Sequence, residues 1–135
     1  TLNPTSIVEQ GFPFYSDSIT YHYDVPESLI GTTARVRVPA YEGAYLKLSS
    51  GGESKMIPWR PNEASLKLGK TLAIEVCITR KNTFGPLHLK DPAPASTGPH
   101  SFVPGKGQFA LEPVFIESGL LAPVELHDVA RASRP

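Results

Sequence analysis

Hydrophobic and polar residues alternate along much of this chain with a period of two, which puts successive side chains on opposite faces of a β-strand. The clearest case is Thr71 to Arg80, where Leu72, Ile74, Val76 and Ile78 fall on one face and Ala73, Glu75, Cys77 and Thr79 on the other. Ile19, Tyr21, Tyr23 and Val25 alternate with Thr20, His22 and Asp24, and Ala34, Val36 and Val38 alternate with Arg35 and Arg37. Each pattern predicts a half-buried strand and assigns Tyr21 and Tyr23 to the core. Tyr45 to Ser49 and Lys55 to Trp59 flank Ser50-Gly51-Gly52-Glu53-Ser54, whose two glycines can take the positive φ angles of a tight hairpin turn. Asn62 to Leu68 predicts a further strand with Leu66 and Leu68 inward. Phe109 to Ile116 predicts a late one, interrupted by Pro113, which belongs at an edge or a bulge.

No stretch carries the period of a long amphipathic helix. Residues 81–108 show no alternation and are rich in glycine and proline, and so long an irregular segment predicts a functional loop or an interface. About seven to nine short strands, joined by Gly and Pro turns without helical crossovers, predict an all-β fold of two packed antiparallel sheets. The jelly roll is the leading form of that β-sandwich.

Composition narrows the range of partners. A length of 135 residues suits one domain, read here as residues 1–135, and lets roughly two-thirds of the unfolded surface be buried. Thirteen basic residues balance thirteen acidic ones, so the electrostatic footprint of a nucleic-acid or anionic-membrane binder is missing and a neutral partner is expected. Apolar runs are only a few residues long, which argues against a membrane span. Cys77 is the only cysteine, so no internal disulfide braces the core, although this leaves a secreted or cell-surface location open. Thr1-Leu2-Asn3-Pro4 and Arg131-Ala132-Ser133-Arg134-Pro135 read as linker remnants, so the chain is expected to be a segment of a larger protein.

A family pattern emerges from Tyr45 to Pro86. Its parts are Tyr45-Leu46-Lys47-Leu48-Ser49-Ser50-Gly51-Gly52, then Met56-Ile57-Pro58-Trp59-Arg60-Pro61, then Leu68-Gly69-Lys70-Thr71-Leu72-Ala73-Ile74-Glu75-Val76. This order of strand, glycine turn, proline-flanked aromatic and glycine-led long strand resembles the galactose-binding-like jelly roll of glycoside hydrolases, notably the sugar-binding-domain type of family two. Arg80 to His88 and Gly119-Leu120-Leu121 before Pro123 are similar to accessory modules that trail catalytic domains in multidomain, often bacterial, glycosidases. Gly51-Gly52 stands where the family usually has Asn-Gly, and Lys70-Thr71 follows Gly69 where an asparagine is common. The resemblance implies a non-catalytic carbohydrate-binding module in a secreted or cell-surface enzyme. Its partners would be a glycan or oligosaccharide and the catalytic domain of the parent chain.

The chemistry-bearing residues agree with a non-enzymatic module. Glycoside hydrolysis needs two facing carboxyl groups, one with a raised pKa. The acids from Glu9 to Glu125 are instead dispersed among turns and outward strand positions. Cys77 lies mid-strand and reads as packing, and no Gly-x-Ser-x-Gly nucleophile elbow occurs. His22, His88, His100 and His127 lack the pairwise spacing of a zinc site; the resemblance leaves a structural calcium open, but no single loop gathers enough acids for one, so no cofactor is expected.

Sugar recognition asks less: an aromatic face for the apolar side of a pyranose and a few planar hydrogen-bonding groups. Trp59, Arg60, Tyr41, Arg80, Asn82 and His88 could supply these from turns and strand ends. Trp59 reads either as a plug closing one end of the sandwich or as a binding platform, and Tyr41 and Asn82 either anchor their loops or contact ligand. Gly11-Phe12-Pro13-Phe14-Tyr15 either seals the core rim or faces a partner domain. The leading expectation is a glycan-binding accessory module with Trp59 and the Arg80–His88 segment at one end of the sandwich. The alternatives are a structural domain that docks on the catalytic domain without binding sugar, a protein-interaction module and, last, a free-standing glycosidase.

Overall fold

The computed structural model describes residues 2–105 and 107–128 and contains nine β-strands. In chain order they are β1 (Ser18–Asp24), β2 (Thr33–Arg37), β3 (Tyr41–Glu42), β4 (Tyr45–Ser50), β5 (Glu53–Ile57), β6 (Glu63–Lys67), β7 (Thr71–Cys77), β8 (Gly119–Leu120) and β9 (Glu125–Asp128). They form a four-stranded sheet in the order β1-β7-β4-β5, a three-stranded sheet in the order β6-β2-β9, and the short pair β3-β8. All pairings are antiparallel. The fold is therefore an all-β antiparallel sandwich, as the alternation predicts.

The register explains why period-two sequences pack here. Ile19, Val76, Leu46 and Ile57 lie opposite one another across the four-stranded sheet, as do Tyr21, Ile74 and Leu48 one row along. Ala34 faces Leu66 across β2 and β6. These residues join Val36, Val38, Leu68, Leu72 and Ile78 in one apolar cluster filled from both sheets. A slip of one residue in any central strand would expose its whole apolar set. The Gly51-Gly52 turn takes the predicted positive φ at both positions, 56° and 83°. On the edge strand β5, Lys55 shares the face of Ile57 but reaches across to donate to the Ser65 carbonyl at 2.7 Å. A charge aimed inward on an edge strand blunts further strand pairing.

Several expectations require correction. Phe109–Ile116 is not a strand: only an isolated bridge from Phe109 to Leu89 forms, and Leu111 is 87% exposed. Pro113 has no N–H to give a ladder. β5 ends at Ile57 rather than Trp59 for the same reason at Pro58, and β7 ends at Cys77 rather than Arg80. Residues 81–108 are less irregular than expected. They hold a one-turn helix α1 (Lys81–Phe84), a 3-10 turn at Pro99–Phe102, and backbone bonds that tie Leu87, His88 and Lys90 to residues 108–114. The pair β3-β8 and strand β9 were not expected, being too short for alternation to mark.

Polar groups inside the fold are matched. Ser50 Oγ donates to the Thr71 carbonyl at 2.7 Å and accepts from Gly69 N–H at 3.0 Å, joining the β4 end to the turn before β7. Tyr21 Oη accepts from Leu120 N–H at 3.3 Å. Burial pushes the Tyr21 phenol above its ordinary 10.0, against a smaller opposing pull from the Leu120 bond. A phenol with a raised folded pKa contributes stability that is fully present below its unfolded pKa and is lost as pH rises past the folded value. Urea midpoints should hold up to about pH 10 and fall above it, and Tyr21→Phe should flatten that alkaline limb. An equally steep limb in the variant would assign the loss to other groups.

Candidate functional site

The peptide that carries the chain from β5 to β6 is Pro58-Trp59-Arg60-Pro61-Asn62. Two prolines lock two of its φ angles, so this crossing between sheets is stiff. It is anchored at both ends, by buried Ile57 on one side and on the other by Val38 N–H donating to the Asn62 carbonyl at 2.9 Å. Between the anchors Trp59 is 76% exposed. It therefore does not close the end of the sandwich, and of its two sequence readings the plug is ruled out.

Arg60 follows on the wall of a cavity of about 320 Å³, formed with Arg37, Val38, Pro39, Pro61, Asn62 and Glu63 where β2 ends and β6 begins. Two of the three charged walls are already engaged. Arg37 Nη1 lies 3.4 Å from Glu125 Oε2, and Glu63 Oε1 lies 3.9 Å from Arg35 Nη1. Tyr41 stands just beyond Pro39, half-buried in β3. Its phenol is pushed up by burial and by the Glu42 carboxylate, and pulled back by the Arg60 guanidinium.

The Arg80–His88 segment behaves differently. β5 and β7 run parallel to each other with β4 between them, so Trp59 and Arg80 leave the sheet at the same end. Arg80 has an exposed side chain, and its carbonyl accepts from Thr83 and Phe84 N–H at 3.1 and 2.9 Å to start α1. Asn82, however, is only 3% exposed. Its Nδ2 donates to the Ile116 carbonyl at 2.9 Å, and its Oδ1 accepts from Ile116 N–H at 3.0 Å. Both ends of the amide are consumed, so Asn82 is a structural clamp and is withdrawn from the contact surface. Asn82 is hidden because its partner lies 34 residues away in the chain.

His88 is half-buried and committed in the same direction. Nδ1 lies 3.0 Å from the Ala110 carbonyl, which can only accept, so Nδ1 carries the proton. The ring also stacks on Phe109, with centroids 5.3 Å apart and planes 17° from parallel. It lines a separate cavity of about 220 Å³ with Leu87, Ser101 and Phe102 among its walls. Among the described residues no hydrogen bond or ion pair joins Trp59 or Arg60 to residues 80–88; Asn82 and His88 are bonded instead to Ile116 and Ala110.

Sequence reasoning missed the cavity's other walls, Arg37, Asn62 and Glu63. Arg37 was visible as an outward residue of β2, but only strand pairing with Glu63 brings it beside Arg60. Phe12 and Phe14, which the sequence offers as sealing the core rim or facing a partner domain, fall in an apolar surface at the end where β7 leaves its sheet. Phe12, Phe14 and Phe84 are exposed there at 49%, 56% and 69%, and Thr83 Oγ1 donates to the Phe14 carbonyl at 3.1 Å. Phe14 meets Phe115 edge to face at 5.2 Å. A nearby cavity of about 460 Å³ is lined by Phe115, Ile116, Pro92 and Lys81, together with Glu42 and Glu117. Both of those carboxylates are exposed.

Among the described residues, no three His, Cys, Asp or Glu side chains gather where a metal ion could be held. No described helix is long and apolar enough to cross a membrane. No protein-family model, curated protein or solved structure matches the chain.

Proposed function

We propose that this chain is a non-catalytic accessory module of a secreted or cell-surface carbohydrate-active enzyme, a jelly roll of galactose-binding-like type that holds glycan on Trp59. The observation that carries the reading is the 76% exposure of the only tryptophan, on a proline-stiffened crossing beside Arg60 and an open cavity. An indole costs apolar surface when left in water, and an aromatic face with adjacent planar donors is what a pyranose ring requires. The antiparallel sandwich supports the same reading, since rigid sheets hold such a loop in one place.

A second reading, docking on the parent catalytic domain without sugar, is supported by the exposed Phe12, Phe14 and Phe84. Clustered exposed aromatics on a soluble domain commonly mark a protein contact.

The two readings separate in one experiment on the full chain. Trp59→Ala should weaken oligosaccharide binding by about 2- to 10-fold in calorimetry, the worth of one aromatic–sugar contact. The melting temperature should stay within a degree or two, because the side chain is solvated. A fall of many degrees would make Trp59 a packing residue. Absence of binding by the unaltered chain to neutral and acidic oligosaccharides alike would leave the docking reading in its place.

A further inference from the structure

Resting on the glycan-binding reading, we propose that the cavity between Arg37 and Arg60 is a subsite for a uronic acid unit, with the Arg60 guanidinium receiving the sugar carboxylate. The argument begins with how each charge on the cavity wall is employed. Arg37 is held by Glu125 and Glu63 by Arg35, at 3.4 and 3.9 Å. Arg60 makes no ion pair with any residue whose side chain is described, a set that leaves out Asp128.

The neighbouring groups suit the rest of a sugar ring. Asn62 contributes an amide able to give and accept, and Glu63 can accept from hydroxyls without abandoning Arg35. Val38, Pro39 and Pro61 form the apolar part of the wall. At about 320 Å³ the cavity sits at the lower end of the roughly 300–1,000 Å³ usual for small-molecule sites, so it has room for one sugar unit. Trp59, immediately before Arg60, stands outside the lining residues and is placed to meet the next unit of the chain. Prolines 39, 58 and 61 hold these positions before ligand arrives, which lowers the ordering cost of binding.

A guanidinium bonds a carboxylate through two parallel N–H groups, and charge-assisted bonds of this kind are about twice as strong as those to neutral hydroxyls. The site is open to solvent, so the gain should shrink with salt. The test is calorimetry on the full chain with oligogalacturonate and oligoglucuronate against neutral galacto- and gluco-oligosaccharides of equal length. The acidic ligands should bind about tenfold more tightly at low salt, and the advantage should fall as salt is raised. Arg60→Gln should abolish the advantage, so that acidic and neutral ligands bind alike, and leave the melting temperature unchanged. Arg60→Lys should keep part of it, having the charge without the fork. Equal affinity for acidic and neutral ligands would overturn the uronate subsite while the glycan-binding reading stands. A salt-sensitive preference that survives Arg60→Gln would also overturn it, and binding of neither class would remove both readings.

Discussion

Replacing Asn82 by alanine should lower the stability of this fold by about 3 kcal/mol, seen as a melting temperature reduced by roughly 10 °C. Asn82 makes two hydrogen bonds to one residue, donating to the Ile116 carbonyl and accepting from the Ile116 N–H. Alanine would leave that N–H and carbonyl without partners. Each buried polar group left unpaired costs about 1–3 kcal/mol. Asn82→Asp discriminates further. It preserves the acceptor for Ile116 N–H but sets a carboxylate against the Ile116 carbonyl, so it should destabilise at neutral pH and recover partly in acid, where the protonated carboxyl can donate. Denaturant melts at two pH values read both effects. A loss below about 1 kcal/mol for alanine would mean that water replaces the amide and that the clamp is dispensable.

Gly119→Ala should cost still more, about 3–5 kcal/mol, through backbone and packing together. Gly119 has φ near 92°, which residues with a Cβ adopt only under strain. A Cβ built there would sit 2.6 Å from Tyr21 Oη and 3.1 Å from Ile7 Cγ2, so the buried phenol would have to move and release Leu120 N–H. Tyr21→Phe alone should cost about 1–2 kcal/mol, since it strands that N–H but keeps the ring. The double variant should be more stable than the sum of its parts predicts, because removing the hydroxyl removes the clash. Strict additivity in a double-mutant cycle would show that the penalty at Gly119 is backbone strain alone.

The two predictions lie at positions where local pattern was least informative. Asn82 in an irregular, glycine-rich stretch has the composition of a surface turn, and nothing within several residues shows that Ile116 will enclose it. Gly119 could have been a flexible joint, and its close approach to Tyr21 joins residues at opposite ends of the chain. Trp59 illustrates the same limit from the other side. Its flanking prolines announce a stiff turn, yet the same peptide could have folded inward. Chain path likewise decides that Asn82 is bonded to Ile116 and His88 to the Ala110 carbonyl.

What the sequence determined by itself is the set of longer core strands and which face of each is buried. Leu72, Ile74, Val76 and Ile78, with Ala34, Val36 and Val38, were assignable because side-chain direction alternates along any strand whatever its neighbours, and water excludes one face. The glycine turn was legible for a related reason, since positive φ is a property of single residues. Tertiary structure alone decided which polar groups are spent and which remain free. Asn82, His88, Arg37 and Glu63 find partners distant in sequence, whereas Arg60 finds none among the described residues. Hydrogen bonds and ion pairs act only over a few ångströms, so their assignment depends on strand order and register rather than on the residues adjacent in the chain.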